Sequence, residues 1–449
     1  MGLVRLIWIS KVFVLVLVAA CSSNINRDYQ LELDELLAEN RRQQAIEAVA
    51  TAGQQVYGER NKLLYHMDLG FVLHLAGEYE KSTAHFNAAE DLGNDLFTRS
   101  LTAEAGSLFS NDLLIPYAGE EFERVFVNLV NAMNYVLMGQ LDEALVEVRR
   151  INVKLQTFRR ELTGSYRMDP FARYLSGLLY EEAGNPDDAR IAYRQAIEAY
   201  ELMEEQLHVP VPSALLRDAG LADMESGSQE MGELIIIHYF GPAPRKVEQL
   251  VEVSVGKGMA HVYTMEVRSE EQKQVTRALS VAKGLASGSQ VTIVYPRFEQ
   301  PPLAAQEATV TVAGCGTISS EAVHNITQLA LWNLKERMSR QWGRIVARAV
   351  LKFASAQAAG KATEHAAKNQ LAGLLVKAVV QGVMSATEEA DLRGWRTMPA
   401  LVHMSRLKCP AGQYPVTVEH LGEFQTEEWH YDNVKIENGK KTFRVLATF

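Results

Sequence analysis

A chain of 449 residues with a formal net charge of −10 has material for two or three domains, each with a core of its own. The acidic balance argues against nucleic acid as a ligand. Cysteine is scarce, with Cys21, Cys315 and Cys409 the whole supply.

The chain opens with Arg5 and Lys11 ahead of an apolar run from Val12 to Ala20 that stops at Cys21. That run is far shorter than the roughly 20 residues that span a bilayer, so residues 1–20 read as a cleaved export leader. Leu17-Val18-Ala19-Ala20-Cys21 resembles the bacterial lipobox, in which the cysteine becomes the lipidated first residue of the mature chain. The resemblance implies a diacylglycerol and an N-acyl chain on Cys21, and several acyl chains give a stable anchor where one does not. With Ser22 and Ser23 next, and no Asp, it implies sorting to the outer membrane on its periplasmic face. Loss of Arg5 and Lys11 takes the formal charge from −10 to −12. Residues 21–27 are then a lipidated linker.

One pattern recurs three times in the first half. Around Gly77, Gly139 and Gly184 a small residue lies seven positions back (Gly70, Ala132, Gly177). Another lies five ahead (Ser82, Ala144, Ala189), with a bulky residue nine ahead (Phe86, Val148, Tyr193) and an apolar one twelve ahead (Ala89, Ile151, Ala196). A generic amphipathic hairpin needs no fixed small residue, and each central glycine suits the left-handed residue that ends a first helix. The pattern resembles the tetratricopeptide repeat, TPR, a helix-turn-helix unit of about 34 residues. The spacings depart from a tandem array and leave room for an extra helix around residues 96–109 and a long helix over 141–162. A further helix pair over 31–49 extends the expected solenoid to residues 28–225.

Such a solenoid buries a core by stacking and presents a face lined by its first helices, which the resemblance implies would hold a protein or peptide. Asn128, Asn131 and Asn134 recur every three residues beside Tyr135 and could hydrogen-bond an extended backbone; a merely solvated stripe is the alternative. Arg149, Arg150 and Lys154, with Arg159 and Arg160, form a basic cluster suited to an acidic partner or an anionic envelope polymer, or to a solvated helix end.

Beyond Pro210 and Pro212 the helical periodicity stops. Apolar, β-branched runs at 234–239, 261–267, 291–295 and 308–312 predict strands, helical stretches follow over 320–358 and 363–392, and strands return at 401–407, 414–420, 434–437 and 442–447. Asn438-Gly439 predicts a hairpin turn. The expected fold is α+β: a TPR-like α-solenoid, then a β-sandwich-like domain (226–318 and 399–449) interrupted by a helical hairpin over 319–398. Within the hairpin, Lys377, Gln381 and Ser385 put a polar stripe on a broadly apolar helix, which suits packing better than a bilayer. Gly394 is expected to cap its end, with Asp391 paired to Arg393 or Arg396 near Trp395. Cys315 and Cys409, each at the end of an alternating run, could form a disulfide or stay as buried thiols.

No HExxH pair, GxSxG elbow or Walker loop is present, and the 11 histidines are scattered rather than set at ligand spacing, so neither a catalytic nor a metal site is indicated. The lipobox, the three divergent repeats, Ala132-Met133-Asn134-Tyr135, Ala144 to Arg150, and Asp391-Leu392-Arg393-Gly394-Trp395-Arg396 with Pro399 together resemble an uncharacterised family of bacterial TPR lipoproteins. The resemblance covers nearly all of the mature chain and implies fold and address, with no cofactor beyond the lipid. The expected function is an outer-membrane-anchored adaptor that binds an envelope protein through its groove in envelope assembly. The alternatives are an envelope enzyme or polymer-handling factor using the β domain, or a subunit of a secretion or surface-fibre assembly.

Overall fold

The structure, a computed structural model, describes residues 25–103, 113, 115–161, 168–221, 231–256, 259–262, 289–338, 345, 389–423 and 426–449. The leader with Cys21 and the polar-striped helix around Lys377 lie outside the described residues.

The helical half begins with α1 (Arg27–Ala38) and α2 (Arg42–Ala52), which a π-turn at Gly53–Tyr57 links to the first repeat. Three hairpins follow: α3 (Lys62–Leu75) with α4 (Tyr79–Ala103), α5 (Glu121–Leu137) with α6 (Leu141–Glu161), and α7 (Pro170–Glu182) with α8 (Pro186–Leu207); α9 (Ser213–Leu221) closes the series. The expected extra helix over 96–109 is, as far as Ala103, the continuation of α4.

Gly77, Gly139 and Gly184 adopt φ of +79°, +74° and +73° and end the first helix of each hairpin. In each case the amide of the next residue donates to a carbonyl five positions back: Glu78 to Leu73, Gln140 to Tyr135, Asn185 to Tyr180. This left-handed cap satisfies carbonyls that the helix leaves open. The small residues have a steric cause. A Cβ on Gly70 would lie 3.0 Å from the Phe86 ring, and one on Gly177 would fall closer still to the ring of Tyr193. The bulky residue therefore packs across its own hairpin.

The second half holds β1 (Met231–Pro242), β2 (Arg245–Gly256), β3 (Met259–Val262), β4 (Ser289–Glu299), β5 (Glu307–Val312), β6 (Gly316–Ser319) and β7 (Glu321–Asn325). A helix, α10, starts at once over 326–338, and after the strap 389–398 come β8 (Pro399–Pro410), β9 (Gly412–Leu421), β10 (Thr426–Ile436) and β11 (Lys441–Thr448). An inner sheet runs β11-β1-β8-β7 and an outer one β10-β9-β5-β6, while β3-β2-β4 form a separate ribbon. The insertion thus starts later than expected, because Glu321–Asn325 pairs with β8 as an edge strand. Asn438-Gly439 makes a turn, with Gly439 at φ +68°, but not a hairpin. β10 pairs with β9, whereas β11 crosses to lie parallel to β1.

β1 is buried almost throughout, as a strand covered on both faces should be. Ile235, Ile237 and Tyr239 enter one core with the solenoid, while Leu234 and Ile236 meet Val310, Val416, Val418 and Ile436 of the outer sheet. The two parts expected as separate domains therefore share a core, in three layers: helices, inner sheet, outer sheet. The Cys315–Cys409 disulfide, with Cα atoms 5.8 Å apart, fastens the turn after β5 to the end of β8.

Gly177→Ala should lower the unfolding midpoint more than Gly70→Ala does, since overpacking of this kind costs about 1–3 kcal/mol and the ring stands nearer at Gly177. Thermal unfolding of both variants, measured side by side, checks the order.

Candidate functional site

The face of the solenoid lined by α3, α5 and α7 is occupied by the chain itself. The inner sheet covers it, with Phe71 and Phe126 against Tyr239, Tyr200 Oη donating to the Val323 carbonyl at 2.7 Å, and Arg406 of β8 reaching Tyr174 and Asp218 on the helices as well as Glu233 on β1. The strap fills what remains. Its Trp395, 2% exposed, inserts among Phe71, Phe86 and Phe126, with ring centroids 5.6–6.0 Å away.

Two buried carboxylates hold the strap by its backbone. Glu123 accepts the Trp395 amide at 2.7 Å, and Asp68 accepts both the amide and the hydroxyl of Thr397, at 3.1 and 3.0 Å. The indole donates to the same Thr397 hydroxyl. Tyr57 and Tyr117 donate to the second oxygens of Asp68 and Glu123 at 2.7 and 2.6 Å. At the ends, Arg396 pairs with Asp34 on α1, and Arg393, bonded to Asp391, donates to the Ile115 carbonyl. Gly394 therefore caps no helix: the expected helix end is an extended strap, although the Asp391–Arg393 pair near Trp395 is present.

Electrostatics follow from burial. Desolvation, with Glu120 nearby, pushes the Glu123 carboxyl up to about 7, and burial lifts Asp68 to about 6 against the donors it collects. Burial would raise Glu120 too, but Arg337 and Lys246 outweigh it and hold that group down at about 2.

The expected groove residues are elsewhere in the architecture. Asn128, Asn131 and Asn134 are buried and form a seam inside the solenoid. Asn128 donates to Glu147, Asn131 to Asn87 and Asn134 to Ser82, while His74 donates to Asn134 at 2.6 Å. Tyr135 is half-buried. Lys154 is also internal, donating to Glu90, Asn128 and the Arg124 carbonyl, and burial brings its ammonium down to about 8. These side chains are committed to the fold and cannot line a free groove. Of the basic cluster, Arg149, Arg150, Arg159 and Arg160 remain exposed. Sequence reasoning missed Asp68 and Glu123. The signal for Asp68 was a lone acid in the apolar run from Leu63 to Leu75.

Between the sheets a second polar chain runs. Ser405 lies 3.0 Å from His238 Nε2, His238 Nδ1 2.9 Å from His420 Nε2, His420 Nδ1 2.9 Å from Thr448, and Thr448 donates to Glu427. One direction of donation satisfies every member with both histidines neutral, in keeping with burial, which lowers both and takes His420 down to about 3. Ser405 is itself buried, so the chain reads as a cross-layer tie. Among the described residues no group of three or more His, Cys, Asp and Glu side chains is placed to hold a metal ion, and no helix is long and apolar enough to cross a membrane.

No family model and no curated protein matches the chain. Among solved structures it is similar to a Podosopora anserina protein described as a kinesin light chain with nearly identical TPR-like repeats, at 13% identity and a TM-score of 0.29, over 44% of this chain and 84% of that one.

Trp395→Ala should destabilise the protein by about 3–5 kcal/mol, as for a large aromatic removed from a packed core, measured by denaturant unfolding. The pH dependence has a sign. His66, His74, His85, His238, His324, His403 and His420 are all lowered by burial, so their stabilisation is present above about 6.5 and lost as pH falls towards their folded values. Asp68 and Glu123, being raised, act oppositely, and their contribution is lost as pH rises through about 6 and about 7. The unfolding midpoint should therefore be lower at pH 5 than at pH 7, and Asp68→Asn, which removes an opposing group, should steepen the fall.

Proposed function

We propose that the protein is a lipid-anchored adaptor of the bacterial outer membrane, facing the periplasm, that meets an envelope protein with the outer face of its repeats. The observation that carries this reading is the filled groove. With the first helices committed to the strap and the inner sheet, a partner has to use surfaces that the chain does not cover. The exposed side of α6 offers one: Val153 is 63% and Val146 41% exposed, beside Arg149, Arg150, Arg159 and Arg160, all exposed. Val146 and Val153 each lie one helical turn from Arg149 and Arg150, and apolar groups beside guanidinium groups suit an acidic protein surface. On α8, Ile191 and Leu202 are both more than half exposed.

Two features support the address. Leu17 to Cys21 resembles a lipobox, which would place a diacylglycerol and an N-acyl chain on Cys21. The Cys315–Cys409 bridge suits an oxidising compartment such as the periplasm. A role in envelope assembly accords with an adaptor that holds a partner at the membrane.

Cys21→Ser should move the protein from the membrane to the soluble fraction of fractionated cells and abolish incorporation of labelled palmitate. A photoreactive residue at Val153 should capture one discrete envelope protein, whereas one at Asn134 should capture none. Capture at Asn134 with silence at Val153 would return the partner to the groove.

A further inference from the structure

Beside α1, where the strap meets the ribbon of β2 and β4, an open cleft is lined by Gln30, Arg245 and Arg396 with Phe122, Phe298 and Trp395. Its guanidinium groups share a partner. Arg245 and Arg396 share a single carboxylate, Asp34, which Arg245 meets at 2.6 Å and Arg396 grips with two nitrogens. Glu299 stands opposite Arg245 across the β2–β4 pair. Deeper in, Lys246 is spent on Glu120 and the Arg393 carbonyl, and Glu123 is bonded to the strap.

The donor set is incomplete in a specific way. The Nε of Arg245 is buried and has no hydrogen-bond partner among the described residues. A buried donor left unpaired is costly, and a guanidinium is built to give parallel hydrogen bonds to an oxyanion. An anion seated in the cleft would take that bond.

We propose that this cleft binds a phosphate group, with Arg245 Nε donating to an oxygen, Arg396 supplying charge and Gln30 forming the side. The aromatic floor gives room for an apolar neighbour of the phosphate, so free phosphate and a phospholipid headgroup are both sources of this chemistry. The inference needs neither the lipid anchor nor the protein partner, and it stands or falls apart from the adaptor reading.

The test uses the mature chain with Cys21→Ser, so that no acyl chain intervenes. Inorganic phosphate is titrated calorimetrically against a chloride control, and vesicles of phosphatidylglycerol or of phosphatidylcholine are co-sedimented with the protein. Saturable binding of phosphate, of phosphatidylglycerol vesicles, or of both is expected. Phosphate alone would identify the free ion as the source, and the anionic vesicles the headgroup. Arg245→Gln and Gln30→Glu should each weaken that binding about tenfold or more, the scale of a charge-assisted hydrogen bond. Gln30→Glu alters a half-buried position on α1, and the unfolding midpoints of both variants in phosphate-free buffer, measured alongside, separate lost binding from lost folding. Binding to neither probe, or binding that both variants retain in full, would overturn the proposal.

Discussion

A carboxylate carried on the face of an apolar helix must collect donors or be neutralised, and the structure depends on how Asp68 and Glu123 meet that demand. Each is buried, and each takes a main-chain amide from one short stretch of chain, Trp395 to Thr397. The burial of Trp395 supplies the apolar contact that makes the polar one worth keeping, because an unpaired carboxylate in that setting is unfavourable while a fully satisfied network rigidifies its surroundings. Once the strap is seated, β8 follows directly from Pro399 and is set against the helices, with β1 and β11 beside it. Repeat hairpins bury their apolar faces only by stacking on something. Here they stack on one another and on the inner sheet.

Most of the repeat architecture was legible in the sequence because its constraints act on single residues. A left-handed cap admits glycine with little penalty, and a ring lying across a helix leaves no room for a Cβ, so Gly77, Gly139, Gly184, Gly70 and Gly177 marked the hairpins directly. The strap was visible as a motif, with its Asp391–Arg393 pair, but its docking was not, because Glu123 and Asp68 hold it by backbone amides, which every residue carries and which leave no trace in side-chain pattern. The asparagines misled because residues recurring every three positions look the same whether their helix face meets solvent or another helix; long-range packing of α5 against α4 and α6 decides it. The crossing of β11 to the inner sheet was hidden likewise, since Asn-Gly specifies a turn but not the strand that the chain pairs with next.

The three-layer arrangement shapes what the protein can do. Its polar interior is organised as ties between layers: the asparagine seam within the helices, Arg406 joining helices to inner sheet, and the Ser405 to Glu427 chain joining the two sheets. Each of these groups is bonded to another inside the molecule. Surfaces left for other molecules are therefore external, and they differ in character: an apolar and basic face on α6, and a cationic cleft where the strap, α1 and the ribbon meet.

Hydrogen exchange resolved to single amides tests the central claim most directly. If the chain's own strap fills the groove, the amides of Trp395 and Thr397 should exchange only through global unfolding, as slowly as the β1 amides of Ile235 and Ile237. Exchange of those two amides at the rate of an open loop, with β1 still protected, would show that the groove stands free and would contradict the account.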